Sequence, residues 1–179
     1  MIPFTLRVVP MILVIMTCTS GCRNLHQVEG NWWRSAQPKG WLDDFVEEQQ
    51  IDAILNLRGH NNGHKDYERE IKIAKSCDVK FVGIPISSKS QPSAESLEKI
   101  LEFIDEHRDD NVLIHCAGGA DRTSLVAFIY LVRVHGWDKE RARKKALSWK
   151  YGHFKSKWIP WSKPEIDRFV DEWEKHSSE

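Results

Sequence analysis

The fold class this sequence predicts is a single α/β domain, with a mainly parallel central sheet flanked by helices. Two observations predict it. Short apolar runs alternate with segments of helical period, which is the pattern of strands joined by crossover helices. The last of these runs enters a glycine-bearing loop and then an almost wholly apolar helix, as a buried strand–loop–helix unit does. The chain has 179 residues, which suits one domain preceded by a targeting segment.

Each element has its own signal. Residues 51–57 (IDAILNL) form an apolar run closed by Arg58 and Gly59, and read as a buried strand. From 66 to about 77, Tyr67, Ile71, Ala74 and Cys77 recur at helical spacing. A second strand, 79–86 (VKFVGIPI), leads into a Ser/Lys/Gln/Pro loop at 87–92. Ser93 can cap the next helix, with Glu95 in its first turn and Leu97, Ile100, Leu101 and Ile104 as its inner stripe. Residues 111–115 (NVLIH) are the third strand, and 125–134 the apolar helix, stopped near Gly136. Asp138 can cap a further helix. Ser162 to Glu165 form a capping box before Ile166, Phe169, Val170 and Trp173. The single domain so defined covers residues 31–176.

The amino terminus is different in kind. Residues 1–21 hold one base, Arg7, and no acid, with an apolar run at 8–16 and a small-residue exit. This is the make-up of an export signal; the apolar run is half the ~20 residues a spanning helix needs. Thr19, Ser20, Gly21 and Cys22 resemble a bacterial lipoprotein cleavage box, which implies a lipid on Cys22 as first mature residue. Plain secretion is the alternative. Residues 22–30 then read as a polar tether. The expected location is periplasmic, anchored to a membrane. Removing residues 1–21 turns 26 bases against 26 acids into a net charge of −1, which gives no electrostatic footprint for nucleic acid. Four cysteines are too few for a disulfide scaffold.

The chemistry gathers in one loop, His115-Cys116-Ala117-Gly118-Gly119-Ala120-Asp121-Arg122-Thr123. In open parallel sheets ligands bind where strand ends meet helix N-termini. The backbone N–H groups of Ala117, Gly118, Gly119, Ala120, Asp121 and Arg122 can curl around one centre, and the helix dipole favours an anion such as phosphate. The glycines allow close approach, and Arg122 offers a planar fork to two phosphoryl oxygens. Cys116, at the base of this cradle, is the candidate nucleophile, because a helix N-terminus and a nearby cation favour the thiolate. The Thr123 hydroxyl can donate to its sulfur.

The unit strand-His-Cys-x5-Arg-Thr-helix resembles the signature of the cysteine-dependent tyrosine and dual-specificity phosphatases. Residues 33–38 (WRSAQP) and 54–58 (ILNLR) resemble segments of the bacterial dual-specificity-like branch. The resemblance implies a phosphocysteine on Cys116, with Arg122 and the loop N–H groups binding phosphate and His115 ordering the loop. It implies no metal and no other cofactor. The partner it implies is a phosphorylated protein, phosphotyrosine foremost, or a small phosphomonoester. The family's usual acid loop is different here: residues 87–94 contain no carboxylate, and Ser87 or Ser88 stands where the aspartate is expected. Asp121 is then either the general acid, as in Cys-x4-Asp-Arg loops, or an ionised buttress of the loop, with Asp66 the next candidate acid. The rival function is a phosphate-binding pseudophosphatase; a sulfur-transfer domain is the weaker one.

Other features have bland and sharp readings. Cys77 is a core residue or the partner of Cys116 in a reversible disulfide. His60 and His64 are turn residues or metal ligands. The bases from Arg141 to Lys145, continuing to Lys150, Lys155 and Lys157, are a solvated helix face or a patch for anionic substrates. Trp32, Trp33, Trp158 and Trp161 rim a binding face or fill the interior. Tyr151-Gly152-His153 has no assigned chemistry.

Overall fold

The computed structural model describes residues 23–61, 63–87, 90–153 and 164–173. Cys22 and the lipoprotein-type box, Ser88, Lys155, Lys157, Trp158, Trp161 and Ser162 lie outside these residues.

Five strands of four residues form one sheet in the order β1-β2-β5-β3-β4. They are β1 (His26–Glu29), β2 (Trp32–Ser35), β3 (Ala53–Asn56), β4 (Lys80–Gly83) and β5 (Val112–His115). All pairings are parallel except that of β1 with β2. The mainly parallel sheet is therefore as expected, with an antiparallel edge. Residues 23–30 require a correction: the stretch read as a polar tether contains edge strand β1. Its Val28 is buried in the core, while His26, Gln27 and Glu29 are polar, so four residues gave too little alternation to register as a strand.

Side-chain alternation along the strands divides the interior into two layers. Ala53, Leu55, Val112 and Ile114 face one cluster, which they share with α3 (Ala94–Glu106), α4 (Asp121–Arg133), α5 (Lys139–Ala146) and α6 (Pro164–Asp171). Ile54 and Leu113 face the other, with α1 (Leu42–Glu48) and α2 (Lys65–Ser76). Helix α4 is buried along Thr123 to Leu131, which fits its apolar composition; it begins at Asp121, four residues earlier than its apolar run. Ser93 and Asp138 cap α3 and α5 through their side chains, as expected. Trp32 is fully buried, stacked on Tyr130 at 4.0 Å with its indole N–H donating to the His107 carbonyl. Trp33 packs edge-on against Phe45. Trp32 belongs to the interior, and Trp33 is half-buried at the border of the α1–α2 layer.

Candidate active site

The parallel register brings Ser35, His115, Asn56 and Gly83 side by side at the carboxyl end of the sheet. The loop that follows His115 therefore emerges from the central strand, with the ends of β2 and β3 on either side.

Four consecutive loop carbonyls are tied down by the scaffold. That of Ala117 accepts the Gln37 backbone N–H, and that of Gly118 accepts the Asn24 side-chain amide at 2.8 Å. Those of Gly119 and Ala120 accept from the Arg34 guanidinium at 2.8 and 3.3 Å. Because a trans peptide points its N–H opposite to its carbonyl, the N–H groups of residues 118–121 face the other way, into the concavity. One of them already shows the direction: Gly119 N–H donates to Cys116 Sγ at 3.2 Å. The sulfur is buried at the base, and Ala117 and Gly118 are exposed at the mouth. Gly119 has φ +66°, and a Cβ there would lie 2.5 Å from the Ala36 nitrogen and the Ser35 carbonyl carbon. No other residue fits this turn without moving β2.

Arg34 explains part of the 33–38 segment. It is 1% exposed and also binds the Ala146 carbonyl and Ser124 Oγ, while its guanidinium lies 3.9 Å over the Tyr151 ring. Burial pushes its pKa down to about 10, against opposing pulls from Tyr151 and Cys116. The group is thus a structural cation held under the loop. Arg122 is placed differently, in the first turn of α4, where its Nη1 donates to the Leu57 carbonyl at 3.2 Å and the Ile86 carbonyl at 3.5 Å. Thr123 is fully buried and its hydroxyl has no protein partner among the described residues.

Behind the loop lies a second buried charge that pattern reading missed. Glu70 stands on the inner face of α2 with Tyr67 and Ala74, where Ile71 was expected. It accepts from the Gln37 and Asn56 amides, and its Oε2 is 3.0 Å from His115 Nε2. Gln37 in turn accepts from Arg58 at 2.5 Å. The residues of 33–38 and 54–58 thereby meet behind the cysteine. The signal was present: a carboxylate three residues after Tyr67 and four before Ala74 occupies a core position.

Asp121 Oδ1 is 2.9 Å from His153 Nδ1, and His153 Nε2 is 3.2 Å from Asp167 Oδ2. Burial alone would lower the His153 pKa, yet the hydrogen bonds to Asp121 and Asp167 outweigh it and hold the imidazole above its ordinary value. Asp66 lies in the first turn of α2 beside Lys39, Lys65 and Arg69.

Two sharper sequence readings are corrected. Cys77 follows α2 and lines a groove of about 700 Å³ with Ile51, Lys80 and His107, at the strand-entry end of the sheet. Cys116 is at the exit end, four residues of parallel strand away, roughly 13 Å at ~3.3 Å per residue. A disulfide needs Cα atoms within about 7 Å, so the pair cannot form, and Cys77 packs in the α1–α2 layer. His60 pairs with the Tyr67 hydroxyl and His64 caps α2; among the described residues no group of three or more His, Cys, Asp or Glu could hold a metal. In the basic stretch, Arg143 binds Asp167 and Asp171, Arg141 lies over Trp137 and Lys145 is near Glu29, while Arg141, Lys144 and Lys150 stay exposed.

A cysteine cradled by inward N–H groups, with an arginine on the next helical turn, defines the class of cysteine-based phosphatases. A family model described as the DSP-PTPase phosphatase of polymorphic toxin systems matches residues 30–136, more than half of the chain. The chain belongs to this family of dual-specificity-type phosphatases. It is 28% identical over 119 residues to the dual specificity protein phosphatase TpbA of Pseudomonas aeruginosa, a match covering 66% of this chain and 51% of TpbA. The chain thus spans about half the length of the curated relatives it matches. Similar folds include the catalytic core of the PP-IP phosphatase Siw14 from S. cerevisiae, solved with citrate (TM-score 0.65, 19% identity, 83% of each chain). A TpbA variant solved with phosphotyrosine is another (TM-score 0.62, 20% identity, 82% of each chain).

Proposed function

We propose that this chain hydrolyses phosphomonoesters through a phosphocysteine on Cys116. The thiolate attacks phosphorus; the S–P bond forms as the bond to the leaving oxygen breaks, and that oxygen takes up a proton from solvent water. Water then attacks phosphorus, the S–P bond breaks, and phosphate departs with the thiolate restored. The loop N–H groups and Arg122 stabilise the equatorial oxygens throughout. The observation that carries this reading is the Gly119 N–H on Cys116 Sγ, with four loop carbonyls tied away from the concavity.

For Asp121 the contact with His153 favours the buttress over the acid. Its Oδ1 is held by the buried His153 ring at 2.9 Å, which ties the carboxylate to the scaffold. Phosphotyrosine is the substrate this arrangement suits, since a phenolate leaves with less help from an acid than an alkoxide does; the TpbA complex with phosphotyrosine supports the same choice. A small phosphomonoester would obey the same chemistry. Export and a lipid anchor at Cys22 complete the proposal and rest on the composition of residues 1–22.

The same lack of a carboxylate at 87–94 favours a second reading, phosphate recognition without turnover. Wild-type and Cys116→Ser proteins assayed on phosphotyrosine peptide and p-nitrophenyl phosphate separate the two. We expect turnover by the wild type and its loss to background in the variant. Phosphate binding with no wild-type turnover would favour the pseudophosphatase.

A further inference from the structure

We infer that His153 is a positioning residue for the phosphate loop: as the imidazolium it clamps the Asp121 carboxylate and cancels its charge, so that the loop receives a dianion. The inference rests on the phosphate-loop reading of residues 116–122 and adds a residue outside that motif. An anion-binding loop that contains its own carboxylate carries an electrostatic liability, because Asp121 directly precedes Arg122. The fold answers it with a chain of alternating charge. Asp121 at the start of α4 meets His153; His153 meets Asp167 of α6; Asp167 meets Arg143 of α5 at 2.9 Å, and Arg143 also binds Asp171.

His153 is 3% exposed, so water does little to screen the pair. Its two ring nitrogens lie against two carboxylates from different helices, and a ring can donate to both only when doubly protonated. The remaining charges nearby point elsewhere. Arg34 of β2 is engaged with loop carbonyls and the Tyr151 ring, and Lys150 is near that same ring. Arg122 donates to the Leu57 and Ile86 carbonyls. His153 is therefore the cation that faces Asp121 among the described residues.

The neutralisation has a direction in pH. While His153 is protonated, the loop presents its N–H groups with Asp121 compensated. When the proton is lost, an unpaired carboxylate opposes the incoming dianion. The test uses sulfate, which keeps both charges from about pH 5.5 to about pH 9, and the full chain carrying Cys116→Ser, which removes the titration of the thiol. Binding is followed by calorimetry across that range. We expect affinity to fall about tenfold as pH rises, the order of one screened charge pair at loop distance. Adding His153→Gln should give weak binding at every pH, and adding Asp121→Asn should give tighter binding than the parent at high pH, where the carboxylate is otherwise uncompensated. A purely structural role would change affinity without flattening the profile of the His153→Gln protein. An Asp121→Asn protein that binds sulfate no more tightly than its parent at high pH overturns the inference even if the His153→Gln protein does not fold. Sulfate bound equally across the range by the Cys116→Ser protein overturns the inference alone. Sulfate bound at no pH overturns the phosphate-loop reading and the inference with it.

Discussion

At the scale of single residues, the loop shows how far a local motif can be read. Cys116, Arg122 and the glycines are specified within eight positions of sequence, so spacing alone exposes them. Their supports are not local: Arg34 reaches the loop across 85 residues, Glu70 reaches His115 from another helix, and His153 reaches Asp121 across 32. Only folding creates those contacts, which is why Tyr151-Gly152-His153 carried no chemistry as a sequence. The contact also bears on the two readings of Asp121. If Asp121 is a buttress, Asp121→Asn changes kcat/KM on phenyl and alkyl phosphates by the same factor, within about threefold. A loss on alkyl phosphates exceeding that on phenyl phosphates by about a hundredfold would return Asp121 to the acid role.

At the scale of elements, the periodic helices and the apolar strands β3, β4 and β5 were legible, and β1 and β2 were not. Helix α3 buries Leu97, Ile100 and Ile104 as its stripe predicts, α2 puts Glu70 inside in place of Ile71, and Ser93 and Asp138 cap where their side chains suggest. Strand β2 (WWRS) lacks alternation because both of its faces are covered: Trp32 packs in one layer, Trp33 borders the other, and Arg34 is buried under the loop. A buried arginine in a strand is read as a surface residue until its four acceptors are seen. Helix α6 is fastened to the rest through the same histidine that holds Asp121. Because the folded-state pKa of His153 is raised, its contribution to stability is complete below the unfolded value of about 6.5 and is lost as pH rises through the folded value. Denaturation of the full chain across this window should show stability falling with pH for the wild type and a flatter profile for His153→Gln. Parallel profiles would mean that His153 binds its proton equally in both states.

At the scale of the molecule, the sheet separates two poles. The exit ends of the strands carry the loop, Arg34, Glu70 and the Asp121–His153 clamp; the entry ends carry Cys77 and a groove of about 700 Å³. This polarity removes Cys77 from the redox chemistry of Cys116 and leaves the catalytic thiol to the loop alone. Among the bases of α5, Arg143 is paired with Asp167 and Asp171, while Arg141 stacks on Trp137 and keeps its charge. The central claim is that phosphorus passes through Cys116. Rapid acid quench of wild-type protein turning over a phosphotyrosine substrate, followed by peptide mass spectrometry, tests it directly. We expect phosphate on the peptide containing Cys116, formed and consumed at rates compatible with turnover. Phosphate carried by a different residue, or steady turnover by a Cys116→Ser protein, would contradict the account.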